Sequence, residues 1–522
     1  MMKILLIAAS LYVALAGPVE KRFGVPLTAE LECLNGANFS TDANDCQIFY
    51  ICDHLWPKIR RCAADTIWSP RDQRCMGKFS ASNEICGYRA PQPLLPPGLE
   101  ELSNIGLDQQ WECRETGELI PYKGVCDGIV HCLDESDEQG CAAFCDANSC
   151  RLPDCKCADT QIPGGLVAND IPQMVLIGWD EALRVEDYNH LYQQIFKRVT
   201  PNRRREPRRN PNGCPITGTF FVSHQFTDYA AVQSMYAEGN EIAAHSISKQ
   251  LPAAYWEKAD ANELQAEYAN QRIQFSQLAS VPPSRIVGMR AAYLQTSGDT
   301  TVDFAQNAGF AWDSSYPTPR MSPPLWPYTF DYKTFDQTAD GDCPVPPCPT
   351  APHRGFWEFP LVDWIDTNDT LCANVDSCYF PEDKDEALQL LRSNFARHYE
   401  TNRAPFPLNL RARWFLDDGQ HNMEALQEFM DDLAGRDDIY FVTYSQALEW
   451  MRDPVRLADL GRSTLFSCDY ADRAPLCAHP NLCGYLNITH APNDDEHPGD
   501  RFFQTCARCP DSYPWVDNPT GE

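Results

Sequence analysis

Twenty-four cysteines in 522 residues constrain this chain more than any other feature. The number is even, and thiols at that density pair as disulfides in an oxidising compartment, whereas a reducing cytosol would keep them free. The N-terminus agrees. Met1, Met2 and Lys3 precede an apolar run from Ile4 to Leu15 that closes with Ala14-Leu15-Ala16, the order of a secretory signal peptide cut after Ala16, so residues 1–16 are expected to leave the mature protein. That run is too short to anchor the chain, and no later stretch approaches the roughly 20 apolar residues of a membrane span. The expectation is a secreted, extracellular protein. A formal charge of −30 lacks the basic face that nucleic-acid binding needs. With 43% hydrophobic and 11% aromatic residues the chain can fill a core, which excludes general disorder. Asn38, Asn368 and Asn487 head N-x-S/T sequons and are candidate glycosylation sites.

Cysteine spacing divides the chain. Cys33, Cys46, Cys52, Cys62, Cys75 and Cys86 form a first block, over 30–88, followed by a Pro-rich linker over 89–108. A module of about 55 residues has too little core to fold without staples. An acidic block over 109–142 and a connector over 143–164, with Cys145, Cys150, Cys155 and Cys157, come next. From about 171 the texture changes. Apolar runs at 174–178, 218–222, 241–244, 286–289, 408–415 and 439–442 alternate with helical patterns near 187–198, 228–238, 262–279, 300–308, 383–399 and 422–434. Such alternation predicts an α/β domain with a parallel sheet, either a barrel or a doubly wound sheet, and the short continuous apolar strands favour the barrel. A cysteine-rich extension covers 456–522.

The first block, with Cys46-Gln47-Ile48-Phe49-Tyr50-Ile51-Cys52 inside it, resembles the peritrophin-A type chitin-binding module. The resemblance implies the pairs Cys33–Cys52, Cys46–Cys86 and Cys62–Cys75 and a chitin partner. Pyranose rings stack on aromatic faces through their apolar C–H surfaces. Tyr50 and Trp68 are the candidate stacking residues; Phe49 is either a third or a filler of the small core.

Trp111-Glu112-Cys113, Cys126-Asp127-Gly128 and the run Cys132-Leu133-Asp134-Glu135-Ser136-Asp137-Glu138 up to Cys141 resemble a low-density-lipoprotein-receptor class A repeat. The resemblance implies calcium bound by an oxygen cage, with Asp127, Asp137 and Glu138 at ligand positions. His131 stands where a liganding Asp is usual, and one cysteine pair is missing, with Leu119 at the third cysteine position. The remaining pairs implied are Cys113–Cys132 and Cys126–Cys141. A solvated acidic loop is the alternative.

Residues 165–455 are similar to the NodB-type polysaccharide deacetylase domain of arthropod chitin deacetylases. The supporting stretches are Ile171-Pro172-Gln173-Met174, Phe220-Phe221-Val222-Ser223-His224, Glu241-Ile242-Ala243-Ala244-His245-Ser246 and Asn402-Arg403-Ala404-Pro405, with Thr505-Cys506-Ala507-Arg508-Cys509-Pro510 in the tail. The resemblance implies a distorted (β/α) barrel preceded by two small disulfide-rich modules. It also implies hydrolysis of the acetamide of N-acetylglucosamine units. In that chemistry a divalent metal of zinc type, held by one Asp and two His, polarises the carbonyl and acidifies a water. An Asp is the base, an Arg orients it, and a His is the acid.

Those roles map onto this chain with three substitutions. The first motif reads Gly178-Trp179-Asp180-Glu181, where Asp180 keeps the base position and Glu181 replaces the metal-binding Asp. The second reads His245-Ser246-Ile247-Ser248-Lys249. His245 remains as a metal ligand, but Lys249 stands at the third ligand position, and an ammonium has no lone pair to give. Arg290, in Arg290-Ala291-Ala292-Tyr293, keeps the orienting role, and Asp313 keeps a further family motif. Arg411 stands at the acid position, and guanidinium does not release its proton near neutral pH. Lys249 and Arg411 facing Asp180 and Glu181 would replace the cation's charge. His224, after the Phe220-Phe221-Val222-Ser223 strand, is a substitute ligand or a structural residue, and His353 and His421 are unplaced; the basic run from Lys197 to Arg209 reads as a solvated helix-to-loop segment, a grip for an anionic matrix component or a site of proteolytic cleavage. Aromatics in Pro324-Leu325-Trp326-Pro327-Tyr328 line a glycan groove or pack a loop.

Three functions are consistent with these readings. The first is a secreted chitin-binding protein of cuticle or peritrophic matrix whose deacetylase chemistry is lost. The second is an active metal-dependent chitin N-deacetylase. The third is a calcium-dependent adhesion protein that binds other matrix proteins.

Overall fold

The computed structural model describes residues 39–41, 48–53, 56–62, 66–69, 74–77 and 110–522 apart from 115, 118, 122–124, 126–129, 201, 203, 336–342, 417–418 and 489–498. The chain divides into two compact units, Met1–Asp108 and Gln109–Glu522.

In the first unit Phe39–Thr41, Ile48–Asp53 and Trp56–Arg61 form an antiparallel sheet, and Thr66–Ser69 pairs with Arg74–Gly77. Cys62 is buried and disulfide-bonded. Phe49 is half-buried. Tyr50 lies opposite Ile59, and Trp68 opposite Cys75. The side chains of Tyr50 and Trp68, the cysteine pairs expected in this module, Asn38 and the signal segment lie outside the described residues.

The second unit is built on one sheet, whose strands are numbered here in chain order: β1 (Gln173–Glu181), β2 (Thr219–Val222), β3 (Glu241–Ala244), β4 (Gly288–Met289), β5 (Trp312–Asp313), β6 (Tyr328–Thr329), β7 (Trp357–Glu358), β8 (Phe406–Leu410) and β9 (Ile439–Phe441). They lie in the order β6-β7-β5-β4-β3-β2-β1-β8, with β9 also on β1, and every pairing but β6 with β7 is parallel. This is the distorted barrel implied by the family resemblance, its strand order ending at β6 and β8.

Strand residues alternate faces, and here both faces are covered. Val175, Ile177 and Trp179 pack into one core cluster, and Met174 and Leu176 into another together with Phe221, Trp312 and Trp357. Burial on both faces is why these strands read as unbroken apolar runs. Asp180 keeps the parity of Met174 and Leu176, while Trp179 turns the other way, against Tyr192 and Phe415.

The covering helices are α1 (Tyr229–Ala237), α2 (Asn270–Ala279), α3 (Asp299–Asn307), α4 (Lys384–Tyr399), α5 (Gln420–Ala434) and α6 (Tyr444–Arg452). Asp228 caps α1, Asp383 caps α4, and Thr443 with Gln446 forms a capping box at α6, each satisfying amides that the first turn leaves open.

Two expectations change, for the basic run and for the apolar run over 408–415, and one open alternative is decided. The helix expected over 187–198 forms over 185–195, with a π turn at Tyr188–Tyr192, and the basic run after it is a ribbon in which Lys197–Val199 pairs with Arg205–Pro207. Arg208 is 3% exposed and donates to the carbonyls of Gln194, Ile195 and Lys197 while pairing with Asp431 at 2.7 Å, so it closes the end of that helix rather than facing solvent. The apolar run over 408–415 leaves the sheet at Leu410 and tightens into the turn Ala412–Phe415. Leu325, Trp326 and Tyr328 are buried and pack the core.

The cysteine-rich regions belong to this unit. Cys113–Cys132 forms as the class A resemblance implied, and Cys145–Cys157 with Cys150–Cys155 staples the connector. Cys126 lies outside the described residues. In the tail, Asn481–Ile488 and Gly499–Thr505 form a hairpin, Phe503, Tyr513 and Trp515 join the main core, and Cys214–Cys468 ties the tail to the loop before β2.

Candidate active site

The C-terminal ends of the parallel strands open into a cleft of about 580 Å³ that includes Asp180, Glu181, Lys249, Tyr293, Asp376 and Arg411. Asp180 is 3% exposed at the end of β1. Glu181, the next residue, would point to the opposite face, but a φ of 97° ends the strand there and leaves its carboxylate on the cleft. Such a backbone is uncommon for a residue with a side chain and is found where the surroundings impose it. Gly178 is needed beneath the site, because a Cβ there would lie 2.5 Å from Asn409 Oδ1.

Arg290 follows β4 and is fully buried. Its Nη1 donates to Asp180 at 2.6 Å, Nε donates to the Ser314 carbonyl at 2.6 Å, and Nη2 donates to Ser314 Oγ, Asn409 Oδ1 and Tyr444 OH. The guanidinium also lies 3.7 Å from the centre of the Phe221 ring. Arg290 thus stands against Asp180, and Ser314, Asn409 and Tyr444 hold its guanidinium in place.

Lys249 occupies the centre. Its Nζ lies 2.6 Å from Glu181 Oε1 and 3.1 Å from His245 Nε2. His245 Nδ1 lies 2.9 Å from the Arg290 carbonyl. That carbonyl can only accept, so Nδ1 carries the imidazole proton and Nε2 presents its lone pair to the ammonium. Burial first, and then the Lys249 charge, push His245 down to about 3, which keeps it neutral. Burial would raise the Glu181 carboxyl, but Lys249 and other nearby charge outweigh this and hold it below the usual range. The lysine is itself held. Its amide donates to Ser246 Oγ, and its carbonyl accepts from Tyr293 OH at 2.8 Å. Glu267, on a π turn before α2, accepts from the amides of Ile247 and Ser248 and fixes the loop.

Arg411 lies beyond β8 and donates through Nε to Asp376 at 2.9 Å. Its close partner is Asp376, from the loop closed by Cys372–Cys378, while Asp180 and Glu181 act on it from across the cleft. Close ion pairs join Asp180 with Arg290 beneath the cleft and Glu181 with Lys249, Asp376 with Arg411 and Asp187 with Arg184 in its lining.

A divalent metal does not fit this donor set. Glu181 and the His245 lone pair both accept from Lys249, and an ammonium stands where a third donor is required. Among the described residues, the groups of three or more possible ligands are Cys145, Cys150 and Cys157, and Cys113, Cys132 and Asp134, in which the cysteines are disulfide-bonded. His224 is buried against Tyr229, Tyr513 and Trp515, His353 bridges Asp299 and Asp303, and His421 reaches the Pro381 carbonyl.

Asp313, on β5, is 1% exposed and faces Glu358 across the strand pair. Burial raises both acids, Asp313 to about 7.

In the class A-like repeat, Asp137 is fully buried. Its Oδ2 accepts from the His131 amide at 2.6 Å, while Oδ1 has no hydrogen-bond partner, so the residue retains one oxygen suited to a cation. Glu138 is half-buried beside it, and Asp127 lies outside the described residues.

A family model described as chitin binding Peritrophin-A domain matches residues 33–86. Chitin deacetylase 8 of Bombyx mori is 35% identical over 385 residues, spanning 73% of this chain and 94% of that protein. Chitin deacetylase 1 of Bombyx mori is 32% identical over 503 residues, spanning 92% of this chain and 88% of that protein. Among solved structures, a polysaccharide deacetylase fold from Pseudomonas aeruginosa PAO1 aligns at 17% identity with a TM-score of 0.32, over 54% of this chain and 92% of that one. With a chitin-binding module and 35% and 32% identity to the two silkworm proteins over 73% and 92% of its length, the chain belongs to the arthropod chitin deacetylase family.

Proposed function

We propose that this protein is a secreted member of the family that binds and organises chitin in an extracellular matrix, such as cuticle or gut lining, without deacetylating it. The observation that carries the reading is the Lys249 ammonium, bonded to Glu181 at 2.6 Å and to His245 Nε2 at 3.1 Å. A protonated amine there supplies the positive charge of a cation but neither polarises a carbonyl nor acidifies a water. Arg411, paired with Asp376, has no proton to give a leaving amine near neutral pH. The N-terminal module supplies the chitin contact, through Tyr50, Trp68 and Phe49. No helix among the described residues is long and apolar enough to cross a membrane, and the exposed Asn368 and Asn487 accept glycans during secretion.

Purified protein tested for bound zinc and for acetate release from chitin oligomers decides the matter. The expected outcome is no stoichiometric zinc and no acetate; the combined substitutions Glu181→Asp, Lys249→His and Arg411→His restore zinc binding. One zinc per chain with acetate release from the unaltered protein overturns the proposal. A second reading, calcium in the class A-like repeat, is favoured by the unpartnered Asp137 Oδ1. It requires calcium to raise the melting temperature and Asp137→Asn to abolish that rise.

A further inference from the structure

Beside the active-site cleft lies a second one, of about 780 Å³, between the turn that follows β1 and the C-terminal hairpin. Its size falls in the range of small-molecule sites. The two clefts share Arg184 and Phe226 in their walls, so they are adjacent.

Three large apolar side chains of this cleft are left to solvent: Phe226 is 43% exposed, Phe502 56% and Leu482 70%. Two of them are held in place rather than loose. Phe226 has a φ of 65°, uncommon for a bulky residue, and the buried Arg501 guanidinium stands 5.0 Å from its ring centre. Phe502 lies across Gly484 on the neighbouring strand, where a Cβ would come within 2.9 Å of the ring. Fixed, exposed rings in a concave surface suit the apolar faces of sugar rings.

The charge of the cleft says which sugar. Its lining includes one cation, Arg184, and Asp187 engages it at 2.7 and 2.9 Å. Asp228 is engaged as the cap of α1 and accepts from the Gln504 amide at 3.1 Å. Glu186 and Asp500 are exposed carboxylates at the rim, Asp500 accepting from the Asn487 amide at 3.2 Å through Oδ1 and keeping Oδ2 toward solvent. An apolar floor with an anionic rim, in a chain of net charge −30, rejects an anionic glycan and favours a cationic one.

We infer that this cleft binds glucosamine units of deacetylated chitin: the rings stack on Phe226 and Phe502, and the free ammonium groups pair with Glu186 and Asp500. The protein is thereby a reader of the amine-bearing polymer, whether or not the neighbouring Glu181–Lys249 site turns over.

The test is calorimetric titration of the full secreted chain with a glucosamine hexamer and, separately, an N-acetylglucosamine hexamer, near pH 6 and at low salt. Phe502→Ala, and the pair Glu186→Gln with Asp500→Asn, should each weaken the glucosamine hexamer about tenfold, or roughly 1.4 kcal/mol. Both variants should leave binding of the acetylated hexamer as it was and melt with the unaltered protein, because the altered side chains are exposed. Unchanged glucosamine binding in these variants overturns the inference. Equal loss of both hexamers overturns the selection by charge, since it marks a neutral-glycan groove. Folding is monitored by melting, and Leu482→Ala provides an independent exposed variant whose glucosamine affinity must also fall.

Discussion

Lys249 closes the Glu181 carboxylate and the His245 imidazole onto one ammonium. Its ammonium bonds a carboxylate and an imidazole lone pair at 2.6 and 3.1 Å, so removing it strands both. Lys249→Ala should raise the His245 titration above its value of about 3, because one of the two main causes of the depression disappears while burial stays; imidazole shifts followed by NMR measure this. Arg290 is a harsher test. It is fully buried and paired with a buried Asp180, and Arg290→Ala leaves that carboxylate uncompensated, at a cost of about 3–5 kcal/mol in denaturant unfolding. At this scale the sequence was informative about identity and poor about partners. Glu181, Lys249 and Arg411 were legible as substitutions because the motif positions around them survive. That Arg411 pairs with Asp376 was not, because Asp376 sits on a loop 35 residues earlier whose position depends on the Cys372–Cys378 staple. Ser314, Asn409 and Tyr444 were equally silent, since their role comes from encircling one guanidinium.

Among the elements, α3 carries a pH-sensitive bracket. Asp299 and Asp303 lie one turn apart on this helix, and His353 bridges them, with Nε2 at 2.6 Å from the first and Nδ1 at 2.9 Å from the second. Burial would lower His353, but the two carboxylates outweigh it and raise its pKa above 6.5. A raised folded-state value means the stabilisation is complete below the unfolded value near 6.5 and is lost as pH rises through the folded one. His353→Gln should therefore flatten the pH dependence of stability on the alkaline side of 6.5, as read by unfolding midpoints across that range. The long elements, β1, α4 and α5, were legible from apolar period and caps. β5 and β7 were not, because two residues, Trp312–Asp313 and Trp357–Glu358, carry no period. The basic ribbon was misread as helix to loop because its turn is fixed by Arg208, whose charge is spent on Asp431 and on the carbonyls behind it.

For the whole molecule, cysteines do what the core of each small part cannot. Cys214–Cys468 spans 254 residues, and constraining so long a loop in the unfolded chain stabilises the folded one. Replacing both cysteines by Ala should cost about 2–5 kcal/mol and loosen the tail whose Phe503, Tyr513 and Trp515 complete the main core; thermal unfolding and proteolysis of the tail measure it. In the first unit, Tyr50→Ala with Trp68→Ala should reduce retention on chitin without moving the melting point of the second unit.

From the sequence alone follow the family, the chitin-binding module at its N-terminus and the density of disulfides, because cysteine spacing, motif residues and apolar period are properties of order along the chain. Only the tertiary structure decided where each charge found its partner, that the ammonium of Lys249 sits between Glu181 and His245, and that the tail is part of the core and a wall of a second cleft. The reason is distance: Arg290 and Asp180 are 110 residues apart, and whether such groups meet within 3 Å depends on how the sheet curls, which no local pattern encodes.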